Sequence, residues 1–180
     1  EDARVRYLLD QGFPFAALGR GKWIEDCAFY DFDNAAFGET AATALLQQGR
    51  RNLMLIAPPS TQSYGQHIVD GIRAATKGID TSLELLGGIH SIQSRSNTIR
   101  SLKARFEAAP LPDGVICCSS SVAILLLRVL RELGHRPGTD IDLFVKESTP
   151  LVQDIDPTVG ALIENVDDAG AFLAKAAVHA

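Results

Sequence analysis

Two cysteines and three serines stand together in the middle of the chain, at positions 117–121. A serine in such a cluster could act as a nucleophile, and neighbouring thiols could bind a metal or exchange electrons. The serines lack the Gly-x-Ser-x-Gly pattern of a hydrolase elbow, and no histidine or acid stands at a spacing that assigns it to a triad. We therefore predict that the chain is not an enzyme.

The other motifs that could carry chemistry are incomplete. The four histidines are scattered, and neither a Cys-x-x-Cys nor a His-x-x-x-His pair occurs, so we expect no dedicated metal site. The stretch "GRGKW" at 19–23 lacks the spacing of a phosphate-binding loop and the third glycine of a dinucleotide-binding turn. We accordingly predict neither a metal nor a cofactor.

Strands and helices are expected to alternate along the chain. Short apolar runs bounded by turn residues predict strands at 13–19, 29–33, 52–57, 82–87, 113–118, 140–145 and 158–164. Apolar residues at helical spacing predict a short helix that ends at Gly12, and further helices at 35–48, 64–77, 96–109, 121–133 and 166–177. This alternation predicts an α/β fold with a parallel sheet that helices cover on both faces.

The residues that follow each strand are the site candidates, because ligands of such sheets bind beyond the carboxyl ends of the strands. Ser119–Ser121 follow one strand and precede a helix, which favours them as helix caps that can also face a ligand. Cys117 and Cys118 are neighbours on that strand, so their side chains should point to opposite faces of the sheet.

Three charged or titratable side chains stand near other strand ends. Lys146 and Glu147 interrupt an apolar strand at its carboxyl end, which favours a place in a pocket. His67 lies near the start of helix 64–77, where it is either solvated or in contact with the pocket, and the sequence leaves both readings open.

The composition excludes several classes of protein. With 180 residues and 46% hydrophobic content, the chain has the composition of a globular domain. Its formal net charge of -5 argues against a basic surface that binds nucleic acid. Its longest uncharged apolar run is far too short to cross a bilayer. Three cysteines do not suggest a disulfide framework, so we expect a reducing cytoplasm. The first residues contain neither Met nor a signal peptide, which we interpret as the start of a fragment or a processed chain.

Several stretches together resemble the effector-binding core of the LacI/GalR family of bacterial transcription regulators. The first, "RVRYLLDQGFPFAALGR", is similar to a helix and strand of that family's amino-terminal subdomain. The others are "DFDNAAFGETAATALLQQGRRNLMLIAPP", "YGQHIVDGIRAA", "PDGVICCSSSVAILLLRVLRELGHRPGTDIDLFV" and "DAGAFLAKA". The resemblance covers nearly the whole chain.

The resemblance implies a periplasmic-binding-protein-like type I fold with two Rossmann-like parallel-sheet subdomains and a small molecule in the cleft between them. Residues 1–30 would be part of an incomplete amino-terminal subdomain, 31–163 the carboxyl-terminal subdomain, and 164–180 the return to the first. Such regulators are homodimers that bind DNA through an amino-terminal domain, which would be missing here. Effector binding would then alter DNA binding.

The sequence departs from the family where its ligand contacts are usual. Ile68 stands in place of an arginine, Ser119 and Ser120 replace an Asn-Asp pair, and "VKES" at 145–148 replaces Gly-Phe-Asp-Asp. An arginine guanidinium can donate two hydrogen bonds to one ligand at once, so the absence of this arginine changes the sugar contacts that we expect. The ligand-binding residues that we expect for a sugar or a derivative are Arg20, Tyr64, Gln66, His67, Ser119, Ser120 and Glu147.

A periplasmic sugar-binding receptor of a transporter shares this fold and is the alternative. The neighbouring cysteines and the regulator-like "DFDN" favour the cytoplasmic regulator. The sequence identifies neither the effector nor whether it induces or corepresses.

Overall fold

The computed structural model describes residues 3–21, 27–59, 62–89 and 93–179. The chain divides into two compact units, one formed by Glu1–Asp33 with Glu164–Ala180 and the other by Asn34–Ile163. Within the described residues, no helix has the length and apolar character that a membrane span requires.

The smaller unit contains two short parallel strands and two helices. Helix α1 spans Ala3–Asp10, and strands β1 (Ala16–Leu18) and β2 (Ala28–Tyr30) pair in parallel. Helix α7, at Val166–His179, packs against both strands. The Phe172 ring of α7 lies 5.7 Å from the Tyr30 ring, so aromatic contact joins the returning segment to the strands.

The larger unit is built on a five-stranded parallel sheet with the strand order β4-β3-β5-β6-β7. Its strands are β3 (Asn52–Ile56), β4 (Ser82–Leu86), β5 (Gly114–Cys117), β6 (Asp142–Glu147) and β7 (Gly160–Ile163). Its helices are α2 (Asn34–Gln47), α3 (Ser63–Thr76), α4 (Arg95–Ala108), α5 (Ser120–Glu132) and α6 (Leu151–Ile155). The α/β class with parallel sheets that the alternation predicts is confirmed.

Two details of the larger unit differ from the sequence prediction. Strand β6 ends at Glu147, two residues beyond the predicted limit, so Lys146 and Glu147 belong to the strand itself. Helix α6 was not predicted, because five residues are too few to show helical periodicity.

The core lies on both faces of this sheet. Met54 and Val115 belong to the cluster on one face, and Leu55 and Ile116 belong to the cluster on the other. Successive residues of a strand point to opposite faces, so a strand covered on both faces must be apolar at every position. This explains why β3 and β5 read as continuous apolar runs rather than as alternating patterns.

Polar side chains form hydrogen bonds at the amino ends of the central strands. The Asp113 carboxylate accepts hydrogen bonds from the backbone N–H of Arg51 at 2.9 Å and of Asn52 at 2.8 Å. Arg50 Nε donates to Asp142 Oδ2 at 2.7 Å, and this pair raises the pKa of the Arg50 guanidinium. These charges are thus engaged in holding the beginnings of β3, β5 and β6.

Helices α2 and α3 pack through two glycines. A Cβ atom on Gly38 would lie 2.2 Å from the Ile68 carbonyl oxygen, and one on Gly71 would lie 2.0 Å from the Ala35 carbonyl oxygen. Both distances are far inside van der Waals contact, so only glycine permits this close approach of the two helices.

Replacement of Gly71 by alanine is expected to lower the free energy of unfolding by about 1–3 kcal/mol, because the helices must separate to accept the methyl group. Gly65→Ala in the same helix is the matched control, since its Cβ would lie 3.5 Å from Pro58. Alanine favours helices over glycine by about 1 kcal/mol, so this control should be neutral or stabilising. Urea unfolding measures both, and equal losses would contradict the proposed role of the helix spacing.

Candidate functional site

A pocket of about 130 Å³ lies at the carboxyl ends of β3 and β5. Ile56 at the end of β3 pairs with Leu86 of β4 on one side and with Cys117 of β5 on the other. The three strands therefore end side by side, and the residues that follow them enclose the space. The lining residues are Ile56, Ala57, Pro58, Pro59, Gln62, Tyr64, Ile89, Cys117, Cys118, Ser119 and Val122.

The pocket offers an apolar wall and a few polar groups. Ile56, Ile89 and Val122 supply apolar surface, while Tyr64 and Ser119 supply hydroxyl groups. An engineered cavity of about 150 Å³ binds benzene, so a space of this size holds roughly one six-membered ring. A small ring compound with one apolar face and a few hydrogen-bonding groups fits such a lining.

Ser119 lies at the N-cap position of α5 but does not cap the helix with its side chain. Its hydroxyl lies 2.9 Å from the hydroxyl of Ser121, while its carbonyl oxygen accepts the N–H of Ala123 at 2.9 Å. The expected side-chain cap is therefore wrong, because a neighbouring hydroxyl takes the hydrogen bond instead. The Ser119 side chain is left at the rim of the pocket.

The two neighbouring cysteines differ in their surroundings. Cys117 is buried in the cluster on one face of the sheet, and Cys118 packs against the cluster on the opposite face, as expected. The predicted strand was one residue too long at its carboxyl end, because β5 ends at Cys117. Burial raises the pKa of the Cys117 thiol to about 12, and its Sγ donates to the Ser119 carbonyl oxygen at 3.3 Å. Cys117 is thus an unreactive thiol, whereas Cys118 is half-buried.

Of the three expected ligand residues on α3, the pocket lining contains only Tyr64. The Gln66 side chain is exposed and its Nε2 donates to Asp70 Oδ1 at 2.7 Å, one turn further along the helix. His67 is half-buried and is not among the lining residues. Contact of Gln66 and His67 with a ligand stays a prediction.

Glu147 is almost completely buried, with 2% of its surface exposed. Its Oε1 accepts the backbone N–H of Val152 at 2.9 Å, which ties the end of β6 to α6. Its Oε2 has no hydrogen-bond partner among the described residues. Glu147 is not among the residues that line the pocket, so its contact with a ligand stays a prediction.

The remaining two expected ligand residues lie outside this lining. Ser120 is the first residue of α5 and is half-buried. Arg20 belongs to the smaller unit, where its Nε lies 3.9 Å from Asp31 Oδ2 and its guanidinium lies 5.6 Å from the centre of the Phe29 ring. The structure tests neither residue's contact with a ligand, and both stay predictions.

Lys146 stands beside the pocket although the list of expected ligand residues omits it. Its Nζ donates to Asn34 Oδ1 at 2.9 Å and lies 5.2 Å from the centre of the Tyr64 ring. The charge that follows the apolar run "LFV" had already favoured a place in a pocket for Lys146 in the sequence analysis. In the described part of the chain, no three His, Cys, Asp or Glu side chains come together as a metal site requires.

Solved structures share this fold. A regulatory protein of the LacI family from Chloroflexus aggregans superposes with a TM-score of 0.81 at 25% identity, over 99% of this chain and 64% of that one. The transcriptional regulator CelR in complex with cellobiose superposes with a TM-score of 0.80 at 21% identity, over 95% of this chain and 53% of that one.

The sequence comparisons agree. The chain is 31% identical over 150 residues to the HTH-type transcriptional regulator AglR of Rhizobium meliloti (strain 1021), over 81% of this chain and 41% of AglR. Residues 42–180 match the family model of the periplasmic binding protein-like domain. The chain belongs to this family, in its LacI/GalR group. The resemblance stated from the sequence is confirmed, and this LacI/GalR core spans less than half the length of AglR.

Cys117 and Cys118 of this LacI/GalR core are expected to react at very different rates with iodoacetamide at pH 8. With a pKa of about 12, roughly one Cys117 thiol in ten thousand is ionised at that pH, and its burial blocks access. Mass spectrometry of the native Cys117→Ala variant should show alkylation at position 118. The Cys118→Ser variant should be alkylated at position 117 only after denaturation, and rapid native alkylation there would contradict the assignment.

Proposed function

We propose that this chain is the effector-binding core of a cytoplasmic transcription regulator, and that a sugar or sugar derivative binds in its pocket. The observation that carries the proposal is a pocket at the carboxyl ends of β3 and β5 in a chain that belongs to the LacI/GalR group. AglR is named as a helix-turn-helix regulator, and CelR was solved with cellobiose, which supports both halves of the proposal.

Two of the lining residues, Tyr64 and Ser119, have a role in this proposal. The Tyr64 ring packs against the apolar face of the ligand, and the Ser119 hydroxyl exchanges hydrogen bonds with ligand hydroxyl groups. Glu147 is proposed as a further acceptor through Oε2, which has no hydrogen-bond partner in the part of the chain that the structure describes, although Glu147 is not among the lining residues. Arg20, Gln66, His67 and Ser120 complete the proposed set.

The ligand acts in the whole protein by shifting a conformational equilibrium. A ligand changes DNA affinity only if it binds more tightly to one of two states of the regulator, and the resulting coupling is typically 1–3 kcal/mol. A homodimer is part of the proposal, because paired DNA-binding domains read two half-sites and make their spacing sensitive to such a shift. The comparisons do not favour the periplasmic receptor, since AglR and the two superposed structures are described as regulators.

Sugar binding can be tested by thermal unfolding and calorimetry of the full-length protein with cellobiose, galactose, glucose and ribose. A ligand at about 100 times its dissociation constant should stabilise the protein by roughly 2.7 kcal/mol. The same ligand should slow the alkylation of Cys118, which lines the pocket. If no sugar in a broad panel does either, the proposed ligand class is wrong.

Two serine variants locate the binding site. Ser119→Ala removes a hydroxyl from the pocket lining and is expected to weaken sugar binding about two- to tenfold, the value of one neutral hydrogen bond. Ser121→Ala is the matched control, because it breaks the same Ser119–Ser121 contact and leaves the pocket hydroxyl in place. Equal effects of the two variants would place the ligand elsewhere.

The regulatory step requires a separate measurement. A sugar that binds the full-length protein should change its affinity for operator DNA by about 5- to 150-fold, the range of ordinary allosteric coupling. Fluorescence anisotropy of labelled operator DNA, with and without the sugar, measures this change. An operator affinity that no bound sugar alters would refute the regulatory half of the proposal and leave sugar binding intact.

A further inference from the structure

Tyr64 stands at a place where its own helix gives its ring little support. It is the second residue of α3, which begins at Ser63. Helical side chains lie over the turn that precedes their own Cα, and Tyr64 has no preceding helical turn. Its ring nevertheless belongs to the pocket lining and is half-buried. The orientation of this ring therefore depends on groups from other elements.

The Lys146 ammonium lies over this ring. Its Nζ is 5.2 Å from the centre of the Tyr64 ring, inside the distance of about 6 Å at which an aromatic face attracts a cation. Lys146 is the last residue but one of β6, where it follows the buried residues Phe144 and Val145. The strand fixes the Lys146 backbone, so the place of the ammonium is decided by its side-chain contacts.

Asn34 contacts the same ammonium from a second element. Its Oδ1 accepts from Lys146 Nζ at 2.9 Å, and only 3% of the Asn34 surface is exposed. Asn34 is the first residue of α2 and the last letter of the "DFDN" stretch. The ammonium also lies 5.9 Å from the centre of the Phe37 ring, one turn further along α2. Lys146 thus joins the beginning of α2, the end of β6 and the beginning of α3.

The backbone around Lys146 is fixed by packing that does not involve the ammonium. Helices α2 and α3 approach each other closely at their two glycines. The Phe37 ring of α2 lies 6.2 Å from the Phe144 ring of β6. Loss of the ammonium should therefore release the Tyr64 ring and leave the three elements in place.

We propose that Asn34 and Lys146 are positioning residues of the pocket: Asn34 fixes the Lys146 ammonium, and the ammonium fixes the plane of the Tyr64 ring. The inference rests on the proposed function, in which this ring packs against the sugar. A ring that is already held in its bound orientation loses less conformational entropy when a ligand binds. Because Lys146 acts through Tyr64, its effect on affinity does not depend on the charge of the ligand.

The orientation of the ring can be tested before any ligand is added. Fluorotyrosine placed at position 64 of the full-length protein reports the surroundings of the ring by fluorine magnetic resonance. Asn34→Leu keeps the cation but removes its acceptor, and it should shift the resonance toward that of the unfolded protein. Asn34→Asp keeps an acceptor oxygen and should leave the resonance near its original position. An unshifted resonance in Asn34→Leu would contradict the inference.

The effect on binding is measured by calorimetry of the full-length protein with cellobiose, galactose, glucose and ribose. Lys146→Met should weaken each sugar that binds by about 3- to 30-fold, the range of a cation–aromatic contact that is partly removed from water. Lys146→Arg keeps a cation over the ring and should restore the affinity, which distinguishes the loss from a folding defect. Lys77→Met, on an exposed residue that follows α3, controls for net charge and should bind as the unmodified protein does.

A double-mutant cycle separates positioning from direct contact with the ligand. In a Tyr64→Leu background, Lys146→Met should change the affinity by about twofold or less, because no ring remains to be positioned. In a Tyr64→Phe background the ring is kept, so Lys146→Met should have its full effect. The same large loss in both backgrounds means that Lys146 acts without Tyr64 and overturns the inference.

The outcomes also distinguish the inference from the proposed function. A sugar that binds the unmodified protein and the Lys146→Met variant equally well overturns the inference and leaves the proposed function standing. If no sugar binds the unmodified protein, both are overturned.

Discussion

The five-stranded parallel sheet is covered by helices on both faces, and this burial decides where polar side chains can stand. Every residue of β5, and every residue of β3 after Asn52, is buried. A polar side chain in the middle of such a strand would lose its hydration without gaining a partner. In β3 and β5, polar groups are therefore confined to the two ends of the strands.

The two ends of the sheet use their polar groups differently. At the amino ends, Asp113 accepts from two backbone N–H groups, and Arg50 pairs with Asp142, so these side chains hold the strands in register. At the carboxyl ends, the Ser119 hydroxyl bonds the hydroxyl of Ser121, and Glu147 has a carboxylate oxygen without a partner among the described residues. The first end is satisfied within the fold, while the second retains the capacity to bind a ligand.

The longer helices could be predicted from the sequence because their apolar residues recur at local helical spacing. The central strands could be predicted because burial on both faces makes them continuous apolar runs. The sequence did not predict α6, a short helix in which the Val152 N–H donates to Glu147 Oε1, because periodicity does not reveal such a contact. Tyr64 and Ser119 could be predicted, because they are polar residues that follow strands and the carboxyl ends of parallel strands share one edge of the sheet. Pro58 and Ile89 could not, because an apolar residue of a pocket wall has the same sequence signature as a core residue.

Lys146 and Glu147 show why adjacent opposite charges need not neutralise each other. Both were expected to follow a strand, where flexible backbone would let an ion pair form, but β6 extends through them and directs their side chains to opposite faces. Glu147 then serves α6 on one face, and Lys146 stands with Asn34 and Tyr64 on the other. Two additional residues of extended strand thus separate a carboxylate that holds α6 from a cation that contacts Asn34 and Tyr64.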